Sequence, residues 1–236
     1  MNYIVGDIGN TSTRICLFTK SKILKSVVFN TNKIFLKGFV RGIIKKFFKK
    51  DLRKEILFSC VVPKALKNIK KILNKNYNVL EIKKFNLKKL IKINIRNINQ
   101  LGSDRIVNSI EGKRFKNCLI IDFGTATTFD IVKNGIYEGG VIAPGVKSSI
   151  KNLSQTTALL PMFNLKKTQT SYGKNTKDAL NAGFIWGYDG LINNIINKIT
   201  KNWKMNYKII LTGGYANLFK KIIKRRTIVD QNITIK

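Results

Sequence analysis

Two acid-bearing turns carry the residues best suited to chemistry. Over positions 119–132 an apolar run delivers Asp122, a glycine and four small residues turn the chain, and a second apolar, β-prone run leaves. Positions 3–18 repeat that plan with Asp7, Gly9, the polar stretch Asn10-Thr11-Ser12-Thr13, and then Ile15-Cys16-Leu17-Phe18. Setting Asp7 on Asp122 puts Gly9 on Gly124 and Thr13 on Thr128, so Asp-x-Gly-x-x-x-Thr occurs twice. The glycine lets the backbone turn and approach a ligand closely. Hydroxyl and amide side chains with exposed N–H groups offer donors to phosphate oxygens. A carboxylate beside such a turn suits Mg²⁺, a hard cation that takes oxygen ligands and bridges to phosphates. A single copy reads more readily as a polar β-hairpin. Two copies at equivalent points predict two related halves facing one site that holds phosphate and metal together.

Two further clusters join these turns. Gly213-Gly214 follows an apolar run and precedes a short helical stretch; such a junction lets a flat group such as adenine lie against bare backbone, and equally makes an ordinary tight turn. In Leu101-Gly102-Ser103-Asp104-Arg105, Ser103 can cap the following helix and Asp104 can simply complement its dipole. Arg105 offers a planar donor fork for carboxylate or phosphate. The sequence contains no histidine, so imidazole bases, histidine triads and histidine metal sites are excluded, and acid–base work falls to carboxylates. Asp104 is then the candidate acceptor for a hydroxyl proton, a job that a carboxylate performs in phosphoryl transfer. No Gly-x-x-x-x-Gly-Lys-Ser/Thr segment is present, so a nucleotide would not sit on a P-loop.

Positioning these groups takes a sizeable fold. The 236 residues, 44% hydrophobic with 17 glycines, describe a globular chain able to form two domains. The net charge of +33 suggests nucleic acid or an anionic surface. Its lysines, however, spread over almost every segment among isoleucine and asparagine, a pattern that fits a bias toward A/T-rich codons better than a binding stripe. The densest run, 45–54, reads as the solvated face of an amphipathic helix. Cys16, Cys60 and Cys118 sit in apolar runs without Cys-x-x-Cys pairing and read as reduced core thiols. No apolar run approaches the ~20 residues of a membrane span, and no signal-like start precedes the first strand. A cytoplasmic location is therefore expected.

Periodicity gives the elements. Strands are expected over 3–7, 13–19 and 23–29, a helix over 33–50, a strand over 56–62, a helix from Pro63 to about Leu73, and a strand over 77–82. Residues 83–100 read as a crossover and 106–115 as a helix. The second half repeats the plan with strands 118–122, 127–133 and 136–142, an Asn134-Gly135 hairpin, and a helix opened by Pro144 and reaching Thr157. An irregular stretch over 159–172 precedes a long helix over 176–203 with Thr176 as its N-cap, then a strand over 207–212, a helix over 215–224 and a strand over 227–229. Three strands, helix, strand, helix, strand, stated twice, is an α/β plan with mixed sheets.

The segments Asp7-Ile-Gly-Asn-Thr, Leu101-Gly-Ser-Asp-Arg105, Asp122-Phe-Gly-Thr-Ala-Thr-Thr128, Gly139-Gly-Val-Ile-Ala-Pro-Gly145, the 153–161 stretch, the Asn175-Thr176 helix start and Thr212-Gly213-Gly214 together resemble type III pantothenate kinase. The resemblance implies duplicated actin-like (ribonuclease H-like) domains, each a mixed five-stranded sheet flanked by helices, over 1–100 and 101–236, the second carrying a dimerisation helix. It implies ATP-dependent phosphorylation of pantothenate, the first step toward coenzyme A, by a homodimer that uses Mg²⁺ and a monovalent cation, K⁺ or NH₄⁺. Carried over by residue, Asp7, Ile8, Gly9, Asn10, Thr11, Ser12, Thr13 and Arg14 hold the ATP phosphates with Asp7 near Mg²⁺, and Thr125, Gly213 and Gly214 contact ATP. Asp122 holds the monovalent cation, and Asp104 accepts the pantothenate proton. Gly102, Ser103, Asp104, Arg105 and Thr176 line the pantothenate site. This chain departs from the family where a tyrosine and a proline are common, at Ile95 and Ile98, and it stops at Lys236, short of the usual tail. Two alternatives remain at this point: a catalytically weak or inactive relative acting as a regulator or nucleic-acid binder, and an actin-like kinase acting on another small substrate.

Overall fold

The computed structural model describes residues 2–19, 22–47, 52–166 and 172–236. The chain divides into two compact units, Met1–Glu111 with Asn232–Lys236, and Gly112–Gln231. In the first, β1 (Asn2–Ile8), β2 (Ser12–Thr19) and β3 (Lys22–Asn30) form an antiparallel meander, and β4 (Leu52–Cys60) and β5 (Asn78–Glu81) add parallel strands, in the order β3-β2-β1-β4-β5. Because side chains alternate along a strand, Ile4 and Ile8 of β1 enter the core, where they join Ile15, Ile34, Ile56, Phe58 and Ile69, while Asp7 faces the other way. Gly6 keeps this strand pair close: a Cβ there would lie 2.2 Å from the Phe58 ring.

The helix expected over 33–50 is two pieces. A 3₁₀ turn, Thr31–Phe35, begins at Asn30, whose side chain accepts from the Asn32 amide; Gly38 adopts φ of 76°, and only then does α1 (Phe39–Phe47) start. The apolar periodicity runs across Gly38, but a left-handed residue ends the helical ladder, and Phe35 and Leu36 are more than half exposed instead of joining the buried stripe. Residues 48–50 of that expected helix lie outside the described residues, as do 48–51 of the basic run and the turn residues 20 and 21. Pro63 opens α2 (Pro63–Leu73) as expected, since its missing N–H is an orphan position anyway. The crossover contains α3 (Leu87–Leu90) and the short β6 (Lys92–Ile93), and α4 (Ser103–Gly112) starts three residues before the expected 106.

The second unit pairs β7 (Cys118–Phe123), β8 (Ala126–Lys133), β9 (Ile136–Pro144), β10 (Lys208–Gly213) and β11 (Thr227–Val229) in the order β9-β8-β7-β10-β11, the order of the first unit over again. Asn134 and Gly135 at φ 52° and 74° make the β8–β9 hairpin. Two expectations are corrected here. Pro144 closes β9 rather than opening a helix; α5 (Val146–Thr156) begins after Gly145, and the Pro144 carbonyl is occupied by the Thr127 and Tyr188 hydroxyls. The cap of α6 (Thr176–Thr200) is Asn175, not Thr176: its side chain accepts from the Asp178 amide and donates to the Asp178 carboxylate. The last helix is shorter than expected, α7 (Ala216–Phe219). Residues 167–171 of the irregular stretch lie outside the described residues. A core of Leu119, Ile121, Phe129, Ile150, Ile192, Leu211 and Phe219 holds sheet and helices together. Among the described residues no helix is long and apolar enough to cross a membrane.

Candidate active site

Both acid-bearing turns are β-hairpin bends at the ends of central strands, but they differ in length. In the first, Asp7 pairs with Arg14 and Ile8 with Thr13, and the Gly9 amide donates to the Ser12 carbonyl at 3.0 Å. In the second, Asp122 pairs with Thr128 and Phe123 with Thr127, and the Gly124 amide donates to the Ala126 carbonyl at 3.0 Å. The first bend therefore carries one more residue, and the structural counterpart of Thr13 is Thr127, not Thr128. Both are fully buried and tie the bend to the next strand's end: Thr13 Oγ1 meets Thr31 Oγ1 at 3.0 Å, and Thr127 Oγ1 donates to the Pro144 carbonyl at 3.0 Å. Thr31 in turn donates to the Gly9 carbonyl at 2.6 Å. The bend exposes Asn10, Thr11 and Ser12, while Ile8 and Thr13 are buried and Ile8 gives its carbonyl to the Val61 amide.

In the first unit, Asp7 is brought together with Asp104. Asp7 ends β1, Arg14 sits across from it on β2, and Ser59 sits across from it on β4. Burial pushes the Asp7 carboxyl from 3.8 up to about 7; Ser59 opposes this, Asp104 reinforces it by repulsion, and Arg14 opposes it. Asp104 lies in the first turn of α4, and the Arg105 amide fixes its carboxylate by donating to Oδ1 at 2.8 Å. Gly102 is needed for this pose, because a Cβ there would fall 2.3 Å from that same oxygen. Ser103 does not spend its proton on its own helix: it is fully buried and its hydroxyl donates to Glu81 at 2.7 Å. Arg105 is partly buried, and its carbonyl accepts from Ser109. Ile95 is partly buried and Ile98 exposed.

This donor set fits a divalent cation. Asp7 and Asp104 are hard oxygen donors close enough to repel, and a cation between such groups returns a carboxyl with a raised pKa to its ionised form. Mg²⁺ is usually held by one or two carboxylates with substrate phosphates and water, and Asp7 and Asp104 supply two.

In the second unit, Asp122 and the Gly213-Gly214 turn lie together, and Thr125 sits in the bend that follows Asp122. Strands β7 and β10 run parallel with Asp122 beside Thr212 and Phe123 beside Gly213. Gly213 has φ of 82°, and a Cβ on it would lie 2.6 Å from both Asp122 Oδ1 and the Phe123 carbonyl, so glycine alone fits against the acid. The Gly214 amide donates to the Phe123 carbonyl, Gln231 donates to the Gly213 carbonyl, and Ser148 donates to the Thr125 carbonyl at 2.7 Å. Thr176 is elsewhere in this unit, at the start of α6, on the rim of a largely apolar cavity of about 670 Å³ with Pro144, Leu153, Phe184 and a hydrogen-bonded Ser149–Tyr188 hydroxyl pair.

The cysteines take no part. Burial pushes the Cys60 thiol to about 11 and the Cys118 thiol to about 12, and all three cysteines are free. Sequence reasoning missed Thr31, Glu81 and Ser59. Only Ser59 left a trace, as one polar residue inside the apolar run of 56–62.

The sequence pattern of type III pantothenate kinase matches residues 3–198. A Pelagibacter ubique protein named type III pantothenate kinase is 47% identical, the alignment covering 99% of this chain and 95% of the relative. Among solved structures, a conserved Campylobacter jejuni protein named for the Baf family of transcriptional activators superposes with a TM-score of 0.64 at 22% identity, covering 98% of this chain and 92% of that one. The ROK hexokinase of Thermus thermophilus superposes with a TM-score of 0.50 at 9% identity, covering 100% and 96%. At those identities the two structures show a shared α/β fold alone. The match of the pattern over most of the sequence, and of a relative over nearly all of it, establishes that this chain belongs to the type III pantothenate kinase family.

Proposed function

We propose that this chain phosphorylates pantothenate with ATP and that Asp104 receives the proton of the reacting hydroxyl. The observation that carries this reading is the meeting of Asp7 and Asp104, from a strand end and a helix start, in a protein without histidine. Asp104 is oriented by the Arg105 amide and uncrowded by Gly102, as a positioned base requires. As the hydroxyl oxygen bonds to the γ-phosphorus, its proton passes to Asp104 and the bond to the ADP oxygen breaks; Asp104 then returns the proton to water. Asp7 would hold Mg²⁺, which when bound neutralises phosphate charge. The bend Asp7 to Arg14 grips phosphate through its exposed Asn10, Thr11 and Ser12 and its backbone amides. Thr125, Gly213 and Gly214 contact the nucleotide, with the bare glycine backbone admitting a flat ring. Gly102, Ser103, Arg105 and Thr176 line the pantothenate site. In the same reading Asp122 holds a monovalent cation, K⁺ or NH₄⁺, the enzyme is a cytoplasmic homodimer, and its excess of lysine is not a nucleic-acid surface.

A coupled assay of ADP release tests this. Turnover is expected to require pantothenate and Mg²⁺, to rise with K⁺ in the parent but not in Asp122→Asn, and to fall by about 10²–10⁴-fold in Asp104→Asn. Absence of pantothenate-dependent ADP release, or full activity in Asp104→Asn, would overturn it.

A further inference from the structure

Ser59 is a buried hydroxyl without a use in the fold. It is 4% exposed, and its Oγ has no hydrogen-bond partner. An unpaired buried hydroxyl is destabilising, so its presence in an otherwise apolar strand calls for a reason. The register supplies one. Ser59 on β4 is the direct partner of Asp7 on β1, and in-register residues on neighbouring strands stand on the same face, side by side. Ile56 and Phe58 of β4 enter the core with Ile4 and Ile8, which leaves Ser59 and Asp7 together on the opposite face.

We propose that Ser59 is a positioning residue, whose hydroxyl donates to one oxygen of the Asp7 carboxylate and turns the other toward the divalent cation. Outer-shell partners of this kind orient ligating carboxylates, and their loss typically costs 10–100-fold in metal affinity or activity. The inference rests on the reading of Asp7 as the Mg²⁺-binding acid, and the test separates the two. Mn²⁺ serves as the probe. Its binding to the full chain is titrated by electron paramagnetic resonance with a non-hydrolysable ATP analogue present, and thermal melting is recorded on the same samples. Asp7→Asn is expected to abolish tight binding. Ser59→Ala is expected to weaken it about tenfold without lowering the melting temperature, because the hydroxyl it removes holds nothing in the fold. Ser59→Thr, which keeps the hydroxyl, is expected to bind within a few-fold of the parent. If Asp7→Asn binds Mn²⁺ like the parent, the reading of Asp7 fails and this inference with it. If Asp7→Asn loses binding while Ser59→Ala keeps it, Asp7 stands and the inference fails. Equal losses in Ser59→Ala and Ser59→Thr also overturn it, because the hydroxyl would then not be the agent.

Discussion

Asp7→Asn should make the ligand-free protein more stable above neutral pH while removing its activity. The carboxyl is pushed from 3.8 in the unfolded chain to about 7 in the folded one, chiefly by burial. At about 1.4 kcal/mol per pH unit, that displacement corresponds to roughly 4 kcal/mol; screening by water at this partly exposed site brings the expectation to on the order of 2–4 kcal/mol. The sign follows from proton counting. Between the two values the folded state holds the proton and the unfolded state has lost it, so stability falls as pH rises from about 4 to about 7. Above pH 7 the full penalty is present. Asparagine is neutral throughout, so the variant should lack this slope and melt higher at pH 8. At about 2–4 °C per kcal/mol for a chain of this length, the difference is about 5–15 °C. Melting curves of both proteins from pH 5 to 8, without nucleotide or divalent metal, measure it. Parallel profiles across that range, with no gain for the variant at pH 8, would refute the placement of Asp7 as a buried acid beside Asp104. Addition of Mg²⁺ and a nucleotide should stabilise the parent much more than the variant.

Asp104→Asn should lower kcat by about 10²–10⁴-fold, the usual contribution of a positioned base, with little change in melting temperature, as read by steady-state kinetics and thermal denaturation. Gly213→Ala should destabilise by more than about 1 kcal/mol and weaken ATP binding, because a methyl group there meets Asp122 and the Phe123 carbonyl in a left-handed backbone; urea unfolding and calorimetric titration with ATP check the two effects. Asn175→Ala should cost about 0.5–2 kcal/mol by removing the α6 cap, whereas Thr176→Ala should leave stability nearly unchanged, and paired urea midpoints distinguish them.

The elements that were legible from sequence are those with a strong period. β1, β7 and β10 alternate or run apolar up to a glycine-bearing turn, and their ends carry Asp7, Asp122 and Gly213. What was not legible depends on partners far away in sequence. The break at Gly38 follows from a backbone angle that apolar spacing does not record, and Asn175 wins the cap over Thr176 because its side chain reaches the Asp178 amide. Pro144 is a good helix opener by type, yet pairing with Ala126 keeps it in β9. The acids Asp7, Asp104 and Asp122 could be picked out from chemistry alone, since without histidine few residues can move protons or hold cations. Their supports were hidden. Ser59, Thr31 and Glu81 matter only because the sheet and its connections set them beside Asp7, Thr13 and Ser103.

The unequal bends bear on how the two halves tolerate change. Along a strand a displacement of one residue sends every side chain to the wrong face, so an extra residue inside β1, β2, β7 or β8 would turn a core inside out. The one-residue difference between the halves sits instead in the bend, before Thr13 and Thr127 re-enter the same buried position. Those two threonines act as parity checks: each resets its strand so that whatever the bend has become, the sheet behind it is unaltered. Loop length at the bend is thereby free to differ between the halves, and the two bends need not bind the same group.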